Sequence, residues 1–376
     1  MYAAHTKDGL LIYASEAVQT DDGLTNWFCP NCHRPVSLKY SHKGKAFFSH
    51  KGPCHSQPFG EDRSRKESES HLSAKEILAE TLTKAGYEVS IEYYFEVIQQ
   101  TADLFIYDSH MEQTTYIIEF QRSPISGKEL QKRHKSYLTV VSHCLWLMDH
   151  ETFHGRKIQT WHKTMLRYSK ENGFHWFSLD VAKRQIVVKY QVPLIYLATD
   201  YALFEIKFGL DNLGEQNLDL IDTKLSMDAR HYRAKKTTTK RWAHYQRRLQ
   251  QLRNQTTYQD AIHLLYTEGC LLQSLPYWMI TESWQFLVAK TPGWLLFAWS
   301  YCLILQFDQV AASFTTSDME QAIVRLIKQG AIELLLMPFV EIDVSCFLTA
   351  AILDKLAEKE VITQLQGNEW RLVKQN

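Results

Sequence analysis

The sequence predicts an α/β core, with a small cysteine-knuckle domain before it and a mainly helical region after it. Three observations predict this class. Between residues 68 and 150 the apolar spacing runs in the order helix, three strands, helix, strand. Upstream, Cys29-Pro30-Asn31-Cys32 and His50-Lys51-Gly52-Pro53-Cys54 stand in a short stretch suited to a metal-held hairpin. Downstream, residues 258–376 are apolar and mainly of helical character. The expected divisions are residues 1–60, 61–155 and 156–376.

Composition bounds the function classes. With 376 residues and 45% hydrophobic content, the chain can bury substantial cores, and its length favours two or three domains. Lys plus Arg equals Asp plus Glu at 42 each, so no global field attracts a polyanion, and any nucleic-acid binding must come from local basic patches. The amino terminus has no basic segment leading into an apolar core and cleavage site, which argues against secretion. The longest apolar run, residues 294–305, is interrupted by Ser300 and is too short to span a bilayer. A cytoplasmic location is expected. Of the seven cysteines, Cys144, Cys270, Cys302 and Cys346 are scattered and read as buried thiols in a reducing compartment.

In chain order, residues 10–14 read as a short strand, with a polar turn at Asp21-Asp22-Gly23. Cys29 and Cys32 form a C-x2-C knuckle, and His50 with Cys54 supplies two more donors. Three thiolates and an imidazole suit tetrahedral Zn²⁺ in a closed, structural site. His33, His42 and His55 are alternative fourth ligands, and reduced thiols in a small β domain are the plain alternative. Residues 56–66 are polar and suit a linker.

A helix begins near Ser68, a capping residue, and runs to Ala85 before Gly86. Glu69 lies one turn before Leu72, while His71 and Lys75 are four apart and share a face. Residues 89–97 read as a strand. Thr101-Ala102-Asp103-Leu104-Phe105-Ile106 and Tyr116-Ile117-Ile118-Glu119-Phe120-Gln121 follow as two more, rich in β-branched and aromatic residues. Period-two alternation puts Glu119 and Gln121 on one face, and a neighbouring-strand pairing can bring Asp103 to Glu119. Two adjacent carboxylates can hold Mg²⁺ or Mn²⁺, which polarises a phosphodiester and activates water. Asp103 alone also fits the solvated face of a two-layer sheet. Glu119 sits between apolar neighbours, and acids are seldom buried unless paired or bound to metal. Residues 128–140 then read as a helix carrying Arg133, which either contacts phosphate or lies on a solvated face, and residues 143–148 as a further strand.

The segment Ile118-Glu119-Phe120-Gln121-Arg122-Ser123-Pro124-Ile125-Ser126, with Gln100-Thr101-Ala102-Asp103 and Glu69-Ser70-His71-Leu72-x-x-Lys75 before it, resembles the competence protein CoiA family over about residues 10 to 150. The resemblance implies a PD-(D/E)XK nuclease-like core that processes incoming DNA in natural transformation. It also implies a metal site at Asp103 and Glu119, with Glu69 as a further metal-holding acid of the first helix; on the residues alone, Glu69 reads equally as a solvated first-turn acid favoured by the helix dipole. Two departures stand out. Thr101-Ala102 replaces the Pro or Arg that often precedes the acid, and Gln121 occupies the place of the catalytic Lys. A neutral amide can orient water but supplies no positive charge.

Past residue 150 these motifs give out. Residues 174–190 have hairpin character. From residue 224 to 253 there are ten Lys or Arg against one acid, Asp228, with Tyr232, Trp242 and Tyr245 interleaved. Such a stretch offers phosphate contacts and base stacking, or equally an amphipathic helix that packs Trp242, Tyr245, Leu249 and Leu252. Lys75, Arg133, Lys240, Arg241, Arg247 and Arg248 are the expected DNA contacts. Residues 347–359 and the hairpin around Gln366-Gly367-Asn368-Glu369 suggest a winged-helix-like end. The expected function is a metal-dependent DNA-processing nuclease acting in transformation and recombination. The alternative is a DNA-binding adaptor without turnover that hands single strands to a recombinase.

Overall fold

The computed structural model describes residues 3–14, 17, 27–29, 33–40, 46–50, 69–108, 114–153, 158–198, 200–210, 229–233 and 241–373. Cys32, His42, Cys54, His55, Lys240 and the segment 56–66 lie outside the described residues, as do the side chains of Glu69 and Arg241.

Strands β1 (Ala3–Thr6), β2 (Leu11–Tyr13), β3 (Trp27–Phe28), β4 (Pro35–Tyr40) and β5 (Ala46–Ser49) form an antiparallel sheet in the order β2-β1-β3-β4-β5. Their inward residues Ala4, Trp27, Cys29, Val36, Leu38 and Phe48 make a small core. Alternation explains it: in β4, Val36 and Leu38 are buried while Pro35, Lys39 and Tyr40 face water.

Next come α1 (Glu69–Lys84), β6 (Glu88–Phe95), β7 (Gln100–Asp108), β8 (Thr114–Gln121), α2 (Gly127–Tyr137) and β9 (His143–Asp149). Ala74, Leu78, Ala79 and Leu82 give α1 one buried stripe at helical spacing. Gly86 ends it with φ +91°, a conformation that costs glycine little. Ser126 caps α2, its hydroxyl accepting from Glu129 N–H at 3.1 Å. Strands β6, β7 and β8 pair antiparallel, and β8 pairs parallel with β9, a geometry that needs the crossover α2 supplies.

The sheet continues beyond this point. After α3 (Thr160–Thr164) come β10 (Arg167–Ser169), β11 (Gly173–Asp180), β12 (Gln185–Tyr190), β13 (Ile195–Leu197), β14 (Asp200–Gly209) and β15 (Ala229–Arg233). Then follow α4 (Arg241–Asn254), α5 (Gln259–Thr267), α6 (Tyr277–Thr281) and β16 (Trp284–Phe286). The strand order is β16-β13-β14-β12-β11-β9-β8-β7-β6, with β10 on β11 and β15 on β14. Residue 155, the expected domain boundary, therefore falls in sequence between two hydrogen-bonded neighbours of one sheet, β9 and β11. The expected hairpin at 174–190 is β11 and β12.

The chain closes with α7 (Gly293–Val310), β17 (Phe314–Thr315), α8 (Thr316–Lys328), α9 (Val344–Glu358), β18 (Ile362–Gln364) and β19 (Glu369–Leu372). The three strands of this closing segment pair antiparallel in the order β17-β19-β18. Its α9 points inward: the Phe347 ring lies 5.3 Å from Tyr168 and 5.9 Å from Phe174.

Each face of the long sheet has its own core. Leu78 and Leu82 of α1 pack with Leu104, Ile118, Phe120 and Leu147 on one face. On the other, Ile117, Tyr137, Trp146 and Trp176 join one continuous cluster with Leu296, Ile352 and Trp370. The carboxyl-terminal helices thus share a core with the sheet. Among the described residues no helix is long and apolar enough to cross a membrane.

Candidate functional site

Asp103 and Glu119 meet where β7 begins and β8 ends. The β7–β8 ladder stops at the pair Leu104 and Ile118. Past it, the carboxylates replace backbone acceptors: Phe120 N–H donates to Asp103 Oδ2 at 2.8 Å, and Asp103 N–H to Glu119 Oε1 at 3.4 Å. Each acid caps the other's strand, so the strands part while their buried N–H groups stay satisfied.

A kink in β6 helps to shape this end. Glu92 has φ +55°, a left-handed conformation that costs a non-glycine residue about 1–2 kcal/mol. It interrupts the alternation: Ile91 packs in the α1-side core and Glu92 also turns to α1, where Lys75 Nζ donates to it at 2.8 Å. Phe95 packs against the opposite core.

Two helices hold the two acids from opposite faces. From α1, His71 Nε2 lies 3.0 Å from Asp103 Oδ2, and its ring packs 5.6 Å from that of Phe120. From α2, Arg133 Nη2 donates to Glu119 Oε2 at 2.7 Å, and the Tyr137 hydroxyl lies 2.7 Å from Glu119 Oε1. That hydroxyl also accepts from Arg133 at 3.0 Å and lies 2.9 Å from the Thr101 carbonyl.

These environments push the two acids apart. Burial would raise Asp103, but hydrogen bonding and charge from His71, the charge of Lys75 and the Phe120 N–H hold it below the ordinary carboxylate value. Glu119 is pushed up to about 7 by burial and then by the Asp103 charge, against the pull of Arg133. Burial works against the charge of Arg133, but Glu119, Tyr137 and Asp103 together outweigh it and keep that guanidinium firmly protonated.

The remaining expected site residues are distributed as follows. Gln121 sits at this end of β8, its amide donating to Ser123 O at 2.6 Å. Lys75 and Arg133, expected at phosphate, are instead ion-paired, with side-chain exposures of 2% and 29%. Glu69 opens α1. Arg247 and Arg248 lie on α4, which turns Tyr245, Leu249 and Leu252 inward, and no described hydrogen bond or ion pair joins α4 to Asp103 or Glu119. Cys29 is buried: its N–H donates to Arg34 O at 2.9 Å, and His33 N–H, with φ +52° at that residue, donates to Cys29 O at 2.9 Å. His50 follows β5. Among the described residues there is no group of three or more His, Cys, Asp or Glu placed to hold a metal ion.

Sequence reasoning passed over His71 and Tyr137 as partners of the two acids, and Glu92 as the partner of Lys75. The available signal was spacing: His71 and Lys75 are i, i+4 on α1, and Arg133 and Tyr137 are i, i+4 on α2.

Residues 67–213 match the family described as competence protein CoiA, nuclease-like domain. The CoiA nuclease-like match begins just before α1 and ends beyond β14, so it takes in His71, Asp103, Glu119, Arg133 and Tyr137 together with the strands past residue 155. The description is that of a competence protein with a nuclease-like domain, which suggests a competence-related function. No curated protein and no solved structure matches the chain.

Proposed function

We propose that this protein processes incoming DNA in natural transformation and recombination as a metal-dependent nuclease centred on Asp103 and Glu119. The observation that carries the reading is the meeting of a buried carboxylate, Glu119, with a part-buried one, Asp103, where β7 and β8 part, inside the CoiA-matching segment. Burial and then the Asp103 charge raise Glu119, and a divalent cation joining both acids would relieve the repulsion between them. The donors fit Mg²⁺ or Mn²⁺: these ions prefer oxygen, and Mg²⁺ takes one or two protein carboxylates and leaves its other positions to water and phosphate. The Asp103 side chain keeps 17% exposure, enough to meet solvent. When bound, the ion would polarise a phosphodiester and lower the pKa of water.

The protein's own groups prepare the centre. His71 and the Phe120 N–H orient Asp103 and keep it ionised. Tyr137 and Arg133 fix the Glu119 carboxylate, and Arg133 remains a standing positive charge beside the site. Gln121 completes the set, its amide serving to orient the attacking water, and Glu69 of α1 is by resemblance a further metal-holding acid. Cys29, Cys32, His50 and Cys54, three thiolates and an imidazole, would hold a structural Zn²⁺.

A second reading, an adaptor that binds DNA without turnover and passes single strands to a recombinase, draws on two observations. Glu119 is already neutralised by Arg133, and the Gln121 amide in the lysine position is turned to Ser123 O. Digestion of single-stranded, duplex and branched DNA with Mg²⁺ or Mn²⁺, beside Asp103→Asn, separates the two. Cleavage lost in the variant supports the nuclease; DNA binding without cleavage under every condition supports the adaptor.

A further inference from the structure

Strands β8, β9 and β11 run parallel, so Arg122, Asp149 and Asp180 stand at one edge of the sheet, where the carboxyl ends of these strands lie. Ligands of open α/β sheets bind outside that edge. Asp103 and Glu119 lie there too, because β8 ends at Gln121, directly past Glu119 and Phe120. We propose that Arg122 binds a DNA backbone phosphate beside the centre of Asp103 and Glu119, and that Asp149 is its positioning residue. The inference rests on the reading of the protein as one that handles DNA, and deepens it by naming a group that takes phosphate.

The placement follows from register. Gln121 pairs with Met148 in the parallel ladder, so the next residues, Arg122 and Asp149, come side by side. Phe120 and Leu147 pack in the α1-side core, and alternation carries Arg122 and Asp149 onto that face two residues on, about 7 Å along the strands. His71 reaches Asp103 from this same face, and the Phe120 N–H itself donates to Asp103. Arg122 therefore borders the centre on the His71 side.

Asp149 is 1% exposed, and its two oxygens point to different partners: Oδ1 accepts from Glu151 N–H at 3.0 Å, and Oδ2 faces Arg122 Nε at 3.4 Å. A buried carboxylate deprived of its cation is strongly destabilising, so Asp149 fixes where the guanidinium stays. The guanidinium keeps capacity for a second anion. Its side chain is 37% exposed, its other ion-pair contact is to the exposed Glu151 at 3.9 Å, a surface pair of little strength, and none of its five donors forms a hydrogen bond among the described residues. Lys75 and Arg133, by contrast, are hydrogen-bonded to Glu92 and Glu119, and Gln121 carries no charge. A guanidinium held at Nε and open at its remaining donors presents the planar fork that matches phosphate. Holding it in advance reduces the side-chain freedom lost on binding.

The test uses the full chain with Ca²⁺ as the divalent ion, a fluorescein-labelled oligothymidylate and anisotropy across a salt series, with circular dichroism of each variant to establish folding. Arg122→Gln is expected to weaken binding about tenfold and to lower the salt slope by ~0.7, the release that one phosphate contact on a single strand gives. Asp149→Asn keeps its oxygen on the Glu151 N–H and turns an NH2 toward Arg122, so binding should weaken about threefold with the slope held. Charge alone predicts the opposite sign, since removing an acid favours a polyanion. Lys290→Gln, which removes an exposed cation paired with Glu333, is the charge control and should change affinity by less than about twofold. Wild-type affinity in Arg122→Gln would confine Arg122 to neutralising Asp149 and overturn the proposal, while leaving Mn²⁺ binding by Asp103 and Glu119 as a separate test of the centre. Asp149→Asn binding as well as wild type, or better, would overturn the positioning role. An equal loss in Lys290→Gln would reassign affinity to overall charge and overturn the phosphate contact. If Asp149→Asn does not fold, Arg122→Lys decides: it keeps the charge but not the Nε anchor, so weaker binding at an unchanged slope supports the positioning role and wild-type affinity overturns it. If the wild type binds no DNA at all, this proposal and the DNA reading fall together.

Discussion

Replacing Arg133 by Met removes the guanidinium that donates to Glu119 at 2.7 Å and leaves that carboxylate, 3% exposed, without its cation. The cost depends on pH in a way the structure dictates. Glu119 has a folded pKa of about 7, above its unfolded value, so its contribution to stability is greatest at low pH, declines as pH rises and levels off once the folded group ionises. Without Arg133 the folded pKa moves higher still, and the decline continues past about 7. Below that pH both proteins carry a neutral Glu119, and the variant loses chiefly a hydrogen bond, about 1 kcal/mol. Above it the gap widens by about 1.4 kcal/mol per pH unit, giving a total of roughly 2–3 kcal/mol near pH 8. Urea denaturation of wild type, Arg133→Met, Glu119→Gln and the double variant near pH 6 and near pH 8 reads this directly. The double variant should recover most of the pH-dependent loss, since no buried charge is then left unpaired. An Arg133→Met penalty of the same size at both pH values, or no recovery in the double variant, refutes the reasoning.

Other outcomes follow from the same contacts. Tyr137→Phe strips the hydroxyl from Glu119 and from the Thr101 carbonyl and should cost about 1–3 kcal/mol in the same denaturation assay; a loss below a few tenths would mean that hydroxyl is dispensable. Elemental analysis of the purified protein should find one zinc per chain, and a chelator should unfold the β1–β5 sheet, because ligand binding supplies much of a small metal domain's folding free energy. A zinc-free protein whose amino-terminal sheet persists in chelator contradicts that assignment.

Local rules made the core legible. The helix read over residues 68–85 is Glu69–Lys84, and the strands read at 101–106 and 116–121 lie within Gln100–Asp108 and Thr114–Gln121. Capping residues, glycine and strict alternation act over a few positions and need no tertiary context. Alternation also singled out Glu119, whose apolar neighbours Ile118 and Phe120 demanded that it be buried. What sequence spacing left open was the partner of each charge. Arg133 sits one turn from Tyr137 on α2, and only the docking of α2 against β8 decides that both meet Glu119 and not solvent. Lys75 reads as a surface cation until the left-handed Glu92 turns its carboxylate toward α1, and a positive φ at a glutamate carries no sequence mark. The extent of the sheet was hidden for a different reason. Strands β11 to β14 join β9 through long-range pairing that no local pattern encodes.

The measurement that bears most directly on the Asp103 and Glu119 centre is calorimetric titration of Mn²⁺ into the wild type, Asp103→Asn and Glu119→Gln near pH 8, where Glu119 is ionised. One ion is expected to bind at the pair in the wild type, with affinity reduced about tenfold or more in each variant, equivalent to ~1.4 kcal/mol or above, while all three proteins remain folded. The same Mn²⁺ affinity in all three would contradict the account.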